Sequence, residues 1–413
     1  MSSPRGATAS SGIPPLRPLA NGASPSDLRR LNEQVVLSAM SGGQWWRATE
    51  LMHTTGLTRV TVMDVLRQLE TRDWLGSETA GTGERGRPAT KFRRREPDGV
   101  VLGVEVGAHD VSVTTIDLSG EVLHRSRANV TPDLPRDQRI ETALTQVDDC
   151  LAACGRQRHD VWTVQVGTTG TITDTGSVLR STAISDWTGV DLRGLLTQRL
   201  ELPVQVGNDI QLVGADQQQW GAAAGSEHVL VLWLGRRPAA SLVLDGAPYS
   251  GAHGTAGDLS RIGLLPEDTS WNGSGSWLPP LEIDPADSDT DAFRAALALA
   301  RDGDPQSLAA FTQWLERLAP VISLFAAVVD PEAVVVAGPL ASLGEVVTDL
   351  LGADLERHLQ NRPLVVLAEG GDSSVADAAA RHAVHQVHQV LIEGNGKGVA
   401  PLRRDSYLDL ASN

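Results

Sequence analysis

Five polar side chains in one predicted helical segment have the chemistry needed to read the edges of DNA base pairs. They are Thr58, Arg59, Thr61, Asp64 and Arg67. Arg59 can donate two hydrogen bonds to guanine O6 and N7, Thr61 can contact a phosphate or a thymine methyl group, and Asp64 can accept from cytosine N4. These residue types predict a recognition helix that lies in the major groove.

Two further arginines, Arg85 and Arg87, occur in the glycine-rich stretch 81–88, which is followed by a basic run at 91–95. Guanidinium groups on a glycine-tipped hairpin can enter a narrow minor groove, where the negative potential of DNA is strongest. The stretch is therefore predicted to be the wing of a DNA-binding module.

The helices that must position these residues are predicted from apolar spacing. Residues 26–40, 47–54 and 58–72 have the pattern of amphipathic helices, and a turn at Gly56 joins the last two. The third helix has a four-residue apolar face, namely Val62, Val65, Leu66 and Leu69. With the basic hairpin, residues 26–95 have the element order of a winged helix-turn-helix. The alternative is a three-helix module with a solvated charged face.

The charge of the chain is unevenly distributed. The formal net charge of the 413 residues is −16, which by itself argues against a nucleic-acid partner. Residues 1–95, however, contain 14 basic and 8 acidic residues, whereas the rest contain 21 and 43. We therefore expect a basic head that faces double-stranded DNA and an acidic body that faces away from it.

Cysteine content and hydropathy indicate the compartment. Cys150 and Cys154 are too few for a disulfide framework and lack the partners of a zinc site. Neither an apolar leader in residues 1–20 nor a run of about 18 apolar residues occurs. These features predict a cytoplasmic protein with no membrane contact.

The rest of the chain divides into a body and two tails. Residues 1–25, rich in Pro, Ser, Gly and Ala, are predicted to be a disordered tail, and 394–413 a C-terminal tail without a site signature. Within the body, 99–393, two hairpins are predicted near residue 100 and helices and further strands follow. The same hairpin-then-crossover pattern returns from Val229 onwards. We expect two similar α/β lobes that face one another across a cleft.

Several segments carry a resemblance to a known family. In the head, Leu28–Asn32, Gly56–Val62 and Arg85–Thr90 resemble the DNA-binding half of the ROK family (repressors, open reading frames and sugar kinases). From Val100 to about Ile392 the chain is similar to the sugar-kinase-like body of that family. The markers are Trp187–Leu192, Leu202–Val204, Gly207–Asp209, Gly246 and Gly251–Gly257. The resemblance implies an α/β protein with an N-terminal winged helix-turn-helix and a two-lobed actin-like/sugar-kinase-like (ROK) effector and dimerisation domain.

The resemblance also implies a function and an effector site. In the family an Asn-Asp pair binds sugar hydroxyls, and Asn208 and Asp209 match it, although such a pair can also cap a turn. His253, Asp258 and Arg261 complete the implied effector-binding set. The implied function is a sequence-specific transcriptional repressor of carbohydrate-related genes, controlled by a sugar or sugar-phosphate effector. Two-fold operator recognition predicts a homodimer, or a tetramer built from dimers.

Two departures from the family concern phosphate binding. Glu105–Asp110 stands where the kinases have Asp-x-Gly-Gly-Thr-Lys, and Gly235–Ala239 stands where they have Gly-Thr-Gly-x-Gly. Without those glycines, the threonine and the lysine, backbone amides cannot closely approach a triphosphate. We therefore expect no ATP, no other cofactor, no catalytic residues and no enzymatic activity.

A third departure concerns zinc. The family's Glu-x-Gly-His segment reads Asp258-Leu259-Ser260-Arg261 here, and the loop 264–281 contains no cysteine, so no metal is expected. Arg261 could favour a phosphorylated or acidic ligand, or it could pair with Asp258 and close the pocket. Trp271 and Trp277 could stack on a sugar or simply be buried.

Two rival functions stay open. One is a carbohydrate kinase with a DNA-binding head and Asp209 as its base. The other is a DNA-binding regulator that is blind to small effectors or is triggered by a protein.

Three histidines, His382, His385 and His388, follow one another at intervals of three residues on a predicted late helix. The spacing could hold a metal, but no cysteine or carboxylate lies nearby in the sequence. A solvated helix face is therefore predicted.

Overall fold

The structure, a computed structural model, describes residues 25–40, 44–79, 90–95, 97–259, 289–368, 375–394 and 399–411. The described residues form four parts. The head is residues 25–95, the first lobe 97–219, the second lobe 228–368, and the C-terminal segment 399–411. A long helix at 375–393 joins them. Among the described helices none is both long and apolar enough to cross a membrane.

The head consists of three helices and a small sheet. Its elements are α1 (Pro25–Ala39), β1 (Trp46–Arg47), α2 (Ala48–Thr55), α3 (Arg59–Thr71), β2 (Leu75–Thr79) and β3 (Thr90–Arg94). The strands pair antiparallel in the order β1-β3-β2. Gly56 ends α2 in the left-handed region at φ 71°, which a glycine adopts without strain. The predicted apolar face of α3 is confirmed, since Val62, Val65, Leu66 and Leu69 are buried.

The first lobe is built on a five-stranded sheet. Its elements are β4 (Val100–Val106), β5 (Asp110–Asp117), β6 (Val122–Asn129), α4 (Arg136–Ala153), β7 (Val161–Thr168), β8 (Thr171–Ile172), β9 (Val178–Arg180), α5 (Leu192–Leu200), β10 (Val204–Asn208) and α6 (Asp209–Gln219). The order is β10-β7-β4-β5-β6, with β4, β5 and β6 antiparallel and β4, β7 and β10 parallel. Strands β8 and β9 form a separate hairpin.

The second lobe repeats this design. Its elements are β11 (Val229–Trp233), β12 (Ala239–Leu244), β13 (Ala247–Tyr249), α7 (Asp289–Arg301), α8 (Pro305–Val329), β14 (Ala333–Ala337), α9 (Glu345–His358) and β15 (Leu364–Leu367). The order β13-β12-β11-β14-β15 again has three antiparallel strands followed by two parallel ones. The predicted repetition of one α/β pattern is therefore confirmed.

Helix α10 (Val375–Glu393) covers the central strand of the first lobe. The packing is close because Gly103 of β4 faces the small residues Ala376 and Ala380. A Cβ at Gly103 would lie 2.0 Å from the Ala376 carbonyl oxygen and 2.3 Å from the Ala380 nitrogen. No side chain larger than hydrogen fits between strand and helix at this point.

The head and the first lobe share one apolar core. The cluster joins Trp74 of the head, Ile116 of the first lobe, Val387 of α10 and Tyr407 of the C-terminal segment. The Tyr407 and Trp162 ring centroids are 6.2 Å apart. Because these residues share one close-packed core, the head is packed onto the body and the two move together.

The C-terminal segment contributes a buried polar contact. Glu33 of α1, fully buried, accepts two hydrogen bonds from Arg72, at 2.9 and 3.0 Å, and one from the Val399 amide at 2.8 Å. Trp74 Nε1 donates to the Ala400 carbonyl at 2.7 Å. The prediction of a tail is therefore wrong for 399–411, which includes α11 (Arg404–Ala411). Its apolar side chains are buried against residues distant in sequence.

Replacing Gly103 with alanine is expected to lower the free energy of unfolding by about 1–3 kcal/mol, because the new methyl group overlaps backbone atoms of α10. Denaturant unfolding followed by tryptophan fluorescence measures the change. Gly207→Ala in β10 is the matched control, since a Cβ there lies 3.5 Å from its nearest neighbour, an ordinary van der Waals distance. Equal stability of the two variants would contradict the close packing.

Replacing Glu33 with glutamine is expected to cost about 3–5 kcal/mol, because Arg72 loses its buried partner. In calorimetry the head should then unfold at a lower temperature than the lobes. The control is Glu70→Gln, which removes a head carboxylate that accepts from Ser77 at the surface. An unchanged profile for Glu33→Gln would show that the pair does not hold the head.

Candidate functional site

The predicted DNA-reading residues lie together at the surface of the head. Thr58, Arg59, Asp64 and Arg67 are exposed and Thr61 is half-buried. Thr58 caps α3, because its hydroxyl accepts from the Thr61 amide at 3.3 Å and lies 2.9 Å from the Thr61 hydroxyl. The cap fixes the first turn of α3, and the charged side chains lie away from its apolar face.

One exposed residue of this surface was missed by the sequence reasoning. The side chain of Val60, in the first turn of α3, is 80% exposed. The available signal was its position outside the apolar face at residues 62, 65, 66 and 69. A valine there can contact a thymine methyl group without making a hydrogen bond.

Only the base of the predicted wing is described. Strands β2 and β3 pair up to Thr79 and Thr90, and Arg85 and Arg87 lie outside the described residues. On β3, the Arg93 guanidinium lies 5.0 Å from the ring centroid of Trp45, which is itself partly exposed. Such stacking holds a cation at the surface of the head.

A cleft of about 1340 Å³ lies between the two lobes. The first lobe contributes Glu105, Asp110, Asn208 and Asp209, along with Arg125, Arg127 and Arg180. The second lobe contributes the turn 235–240, residues 254–258, and Arg294 and Arg301 of α7. Asp377, in the first turn of α10, also lines the cleft.

The Asn-Asp pair stands where β10 meets α6, and the two side chains differ in their bonding. Asn208 caps α6: its Oδ1 accepts from the Gln211 amide at 2.9 Å, and its Nδ2 donates to the Gly170 carbonyl at 3.0 Å. Both the oxygen and the nitrogen of the Asn208 side chain therefore form hydrogen bonds within the fold. Asp209 accepts from the Ile210 amide at 2.9 Å, and burial raises the pKa of its carboxyl to about 6.

Two more carboxylates lie at the place of the kinases' first phosphate turn. Burial, followed by the charge of Asp110, raises the pKa of Glu105 to about 7. Burial also acts to raise the pKa of Asp110, but hydrogen bonds and charges from Arg127 and Arg294 outweigh it and lower that pKa below its usual range. The cleft therefore holds one firmly ionised carboxylate, Asp110, beside two that titrate near neutrality.

Side chains of the second lobe reach across the cleft. Arg294 of α7 pairs with Asp110 and donates to the Asn129 side chain at 2.5 Å. Arg237 lies 3.5 Å from the Thr182 hydroxyl. These interactions join the lobes directly, so a ligand that alters them alters the relative position of the lobes.

The segment Gly235–Ala239, which stands in place of the kinases' second phosphate turn, lines the cleft with side chains. Arg236 is only 9% exposed, and its guanidinium lies 5.2 Å from the Phe293 ring centroid. Close to this turn, burial and the charge of Arg236 lower the pKa of His109 to about 4. The imidazole is therefore neutral at physiological pH.

The remaining predicted effector residues are only partly brought together. Asp258 is exposed and lines the cleft, whereas His253 is exposed and is not part of the described lining. Arg261, Trp271 and Trp277 lie outside the described residues.

The prediction of a solvated histidine face on α10 is wrong. His385 and His388 are buried, and His382 is half-buried, because α10 packs on several sides. Arg94 Nη2 of the head lies 3.2 Å from His388 Nε2, and burial, followed by the charge of Arg94, lowers the pKa of His388 well below its usual value. No three His, Cys, Asp or Glu side chains within the described ranges form a metal-binding group.

Helix α10 thus connects the cleft with the head. At its start Asp377 accepts from Thr114 at 2.7 Å and from Arg125 at 2.9 Å. Near its end His388 contacts the head through Arg94 and Trp74, whose ring centroid is 6.1 Å away. A displacement of α10 would therefore change contacts both in the cleft and in the head.

Residues 101–269 match the ROK family. The chain is also similar to a protein named xylose repressor from Caldicellulosiruptor bescii, with 19% identity over 242 residues. That match covers 58% of this chain and 60% of the repressor. The chain thus spans about three fifths of the length of this curated relative.

Among solved structures, a ROK family transcriptional regulator, described as a homologue of the E. coli MLC protein, gives a TM-score of 0.62 at 15% identity. The similarity covers 94% of this chain and 100% of the regulator. A ROK family glucokinase from Streptomyces griseus, in complex with glucose and AMPPNP, gives a TM-score of 0.56 at 22% identity over 69% of this chain and 99% of the kinase. Residues 101–269 thus match a ROK family domain, and the chain has the mixed α/β, sugar-kinase-like fold that these two proteins share.

Proposed function

We propose that the protein is a sequence-specific DNA-binding transcriptional repressor of carbohydrate-related genes, whose inter-lobe cleft binds a sugar-type effector. The observation that carries the proposal is the exposed, charged side of α3 on a head that shares one core with a sugar-kinase-like body. Relatives named as xylose repressors support the same function.

The reading surface is proposed to consist of Thr58, Arg59, Thr61, Asp64 and Arg67, with Val60 beside them. Arg59 and Arg67 supply hydrogen bonds to base edges or phosphates, and Asp64 restricts the bases it can face. Arg85 and Arg87 are proposed to enter the minor groove. The excess of basic over acidic residues in 1–95 supports this assignment.

The effector is proposed to bind through Asp209 and Glu105, with Asp258 at the rim and Asn208 positioning α6. Carboxylates accept hydrogen bonds from sugar hydroxyls, and a partly buried carboxylate does so more strongly than an exposed one. His253 and Arg261 stay in the proposed set on the family resemblance alone.

The effector is proposed to control DNA binding through α10. It would bind one arrangement of the lobes more tightly, and α10 would carry the change from Asp377 to the Arg94–His388 pair. In a homodimer on a palindromic operator, a small rotation of each head changes the spacing of the two recognition helices. Differential affinity for the two arrangements is sufficient for regulation.

A second candidate function is a carbohydrate kinase, because Asp209, with its pKa raised to about 6, has the properties of a general base. Against it stand Arg237 and Ala239, which replace two glycines of the second phosphate turn, and Arg236, which replaces its threonine. A coupled-enzyme assay with ATP and a panel of hexoses decides between the two, since turnover that Asp209→Asn abolishes would establish the kinase.

The double variant Arg59→Ala, Arg67→Ala is expected to weaken operator binding by about 1–3 kcal/mol for each base that an arginine recognises. If one of the arginines binds a phosphate instead of a base, its removal should reduce the salt dependence of operator binding. The operator is obtained by selection from random duplexes, and affinity is measured by fluorescence anisotropy over a salt series.

The matched control is Arg357→Ala, which removes an exposed arginine of α9 in the second lobe. Unchanged affinity of the double variant would remove α3 from the reading surface. Operator binding that no sugar, amino sugar or sugar phosphate alters would favour the effector-blind alternative.

The pH dependence of stability tests the cleft carboxylates. The raised pKa of Glu105 means that the folded state holds this proton more tightly than the unfolded chain, so its contribution to stability falls as the pH rises from 4.5 to about 7. Glu105→Gln should therefore be more stable than the parent at pH 8, by up to about 3 kcal/mol, with much less gain at pH 5. Unfolding at both pH values is compared with that of Glu121→Gln, whose carboxyl is exposed. An equal gain for the two variants would contradict the burial of Glu105.

A further inference from the structure

The arginines of the cleft are in excess over its acidic residues. The described lining contains seven arginines against five acidic residues, whereas residues 96–413 as a whole contain 21 basic and 43 acidic residues. The cleft therefore has the opposite charge balance to the body that surrounds it. An excess of guanidinium groups in a concave, partly desolvated site attracts anions.

Not all of these arginines are neutralised by the protein. Arg125 pairs with Asp377, and Arg127 and Arg294 share Asp110. Arg237 pairs with no carboxylate within the described part of the chain, and its polar neighbour there is the uncharged Thr182 hydroxyl. Arg180 and Arg301 likewise have no carboxylate partner among the described residues.

The positive charge of Arg237 lies on one turn of the second lobe. It follows the buried Arg236 on the turn between β11 and β12, and both side chains line the cleft. Arginine binds phosphate and carboxylate groups through two parallel hydrogen bonds, which lysine, a compact point charge, does not reproduce. The imidazole of His109 lies within electrostatic reach of Arg236, Arg237 and Arg294 and, being neutral, adds no charge of either sign there.

We propose that the turn carrying Arg236 and Arg237 is an anion-binding subsite, and that the effector is an anionic sugar whose phosphate or carboxylate group binds there. This inference rests on the proposed function, because it places the sugar hydroxyls at Asp209 and the anionic group at the opposite side of the cleft. The arginines thus replace a surface suited to a nucleotide with one suited to a small monoanion or dianion.

The subsite is tested on the full chain by isothermal titration with inorganic phosphate and pyrophosphate at constant ionic strength. Both anions should bind the parent protein, and Arg237→Gln should weaken pyrophosphate at least tenfold. Arg236→Gln is the second variant, although its buried side chain makes misfolding a risk that circular dichroism would reveal. Arg199→Gln, which removes an exposed arginine of α5 outside the cleft, is the matched control and should bind as the parent does.

The source of the anionic group is identified with glucose, glucose 6-phosphate and glucuronate, and with the corresponding sets for other hexoses. Tighter binding of the 6-phosphates, absent in Arg237→Gln, assigns a phosphate ester; tighter binding of the uronates, absent in the same variant, assigns a carboxylate. Pyrophosphate that fails to bind, or that binds Arg237→Gln as well as the parent, overturns the subsite. The subsite is also overturned if a neutral sugar binds as tightly as its anionic forms.

Operator binding is measured in parallel on the same proteins. If Arg237→Gln binds DNA normally and fails only to bind the anion, the proposed function stands together with the subsite. If the parent protein binds no DNA, the proposed function fails whatever the cleft binds.

Discussion

The close packing of α10 on β4 is the constraint on which the rest of the structure depends. Because Gly103 has no side chain, the helix lies against the centre of the first sheet, and from there it reaches both the cleft and the head. Arg381 on the same helix pairs with the buried Asp216 of α6, at 2.6 Å between Nη2 and Oδ2, so α10 is also fixed to the helix that begins at Asp209. One helix therefore touches every part of the molecule to which a function has been given.

Local patterns in the sequence predicted the fold well where the structure is local. The apolar face of α3 and the repeated hairpin-then-crossover order depend on residues close together in the chain, and both were correct. Errors occurred where burial depends on distant partners. Val399 and Tyr407 are buried by the head and the first lobe, which no local pattern reveals. His388 is buried by Arg94 and Trp74 of the head, and His385 by Gln219 and Trp220 at the end of α6, all distant in sequence.

The candidate site was predictable in its residue types but not in their hydrogen-bond partners. Family resemblance located Asp209 and the two altered phosphate turns, and the structure places all three in one cleft. The capping of α6 by Asn208 corresponds to the alternative that the residue types had left open, whereas nothing in the sequence indicated that Asp110 would be held by two arginines from opposite lobes. Hydrogen-bond partners depend on three-dimensional neighbours, whereas residue type alone states only what a side chain is able to do.

The buried position of Glu33 has a consequence for synthesis of the chain. A ribosome makes the head first, and the first domain of a protein commonly folds before the rest is complete. Here the buried carboxylate of Glu33 receives one of its hydrogen bonds from the amide of Val399, 366 residues later. A nascent or prematurely terminated chain therefore lacks a bond that the finished head contains, so the head gains its complete set of contacts only after the C-terminal segment has been made.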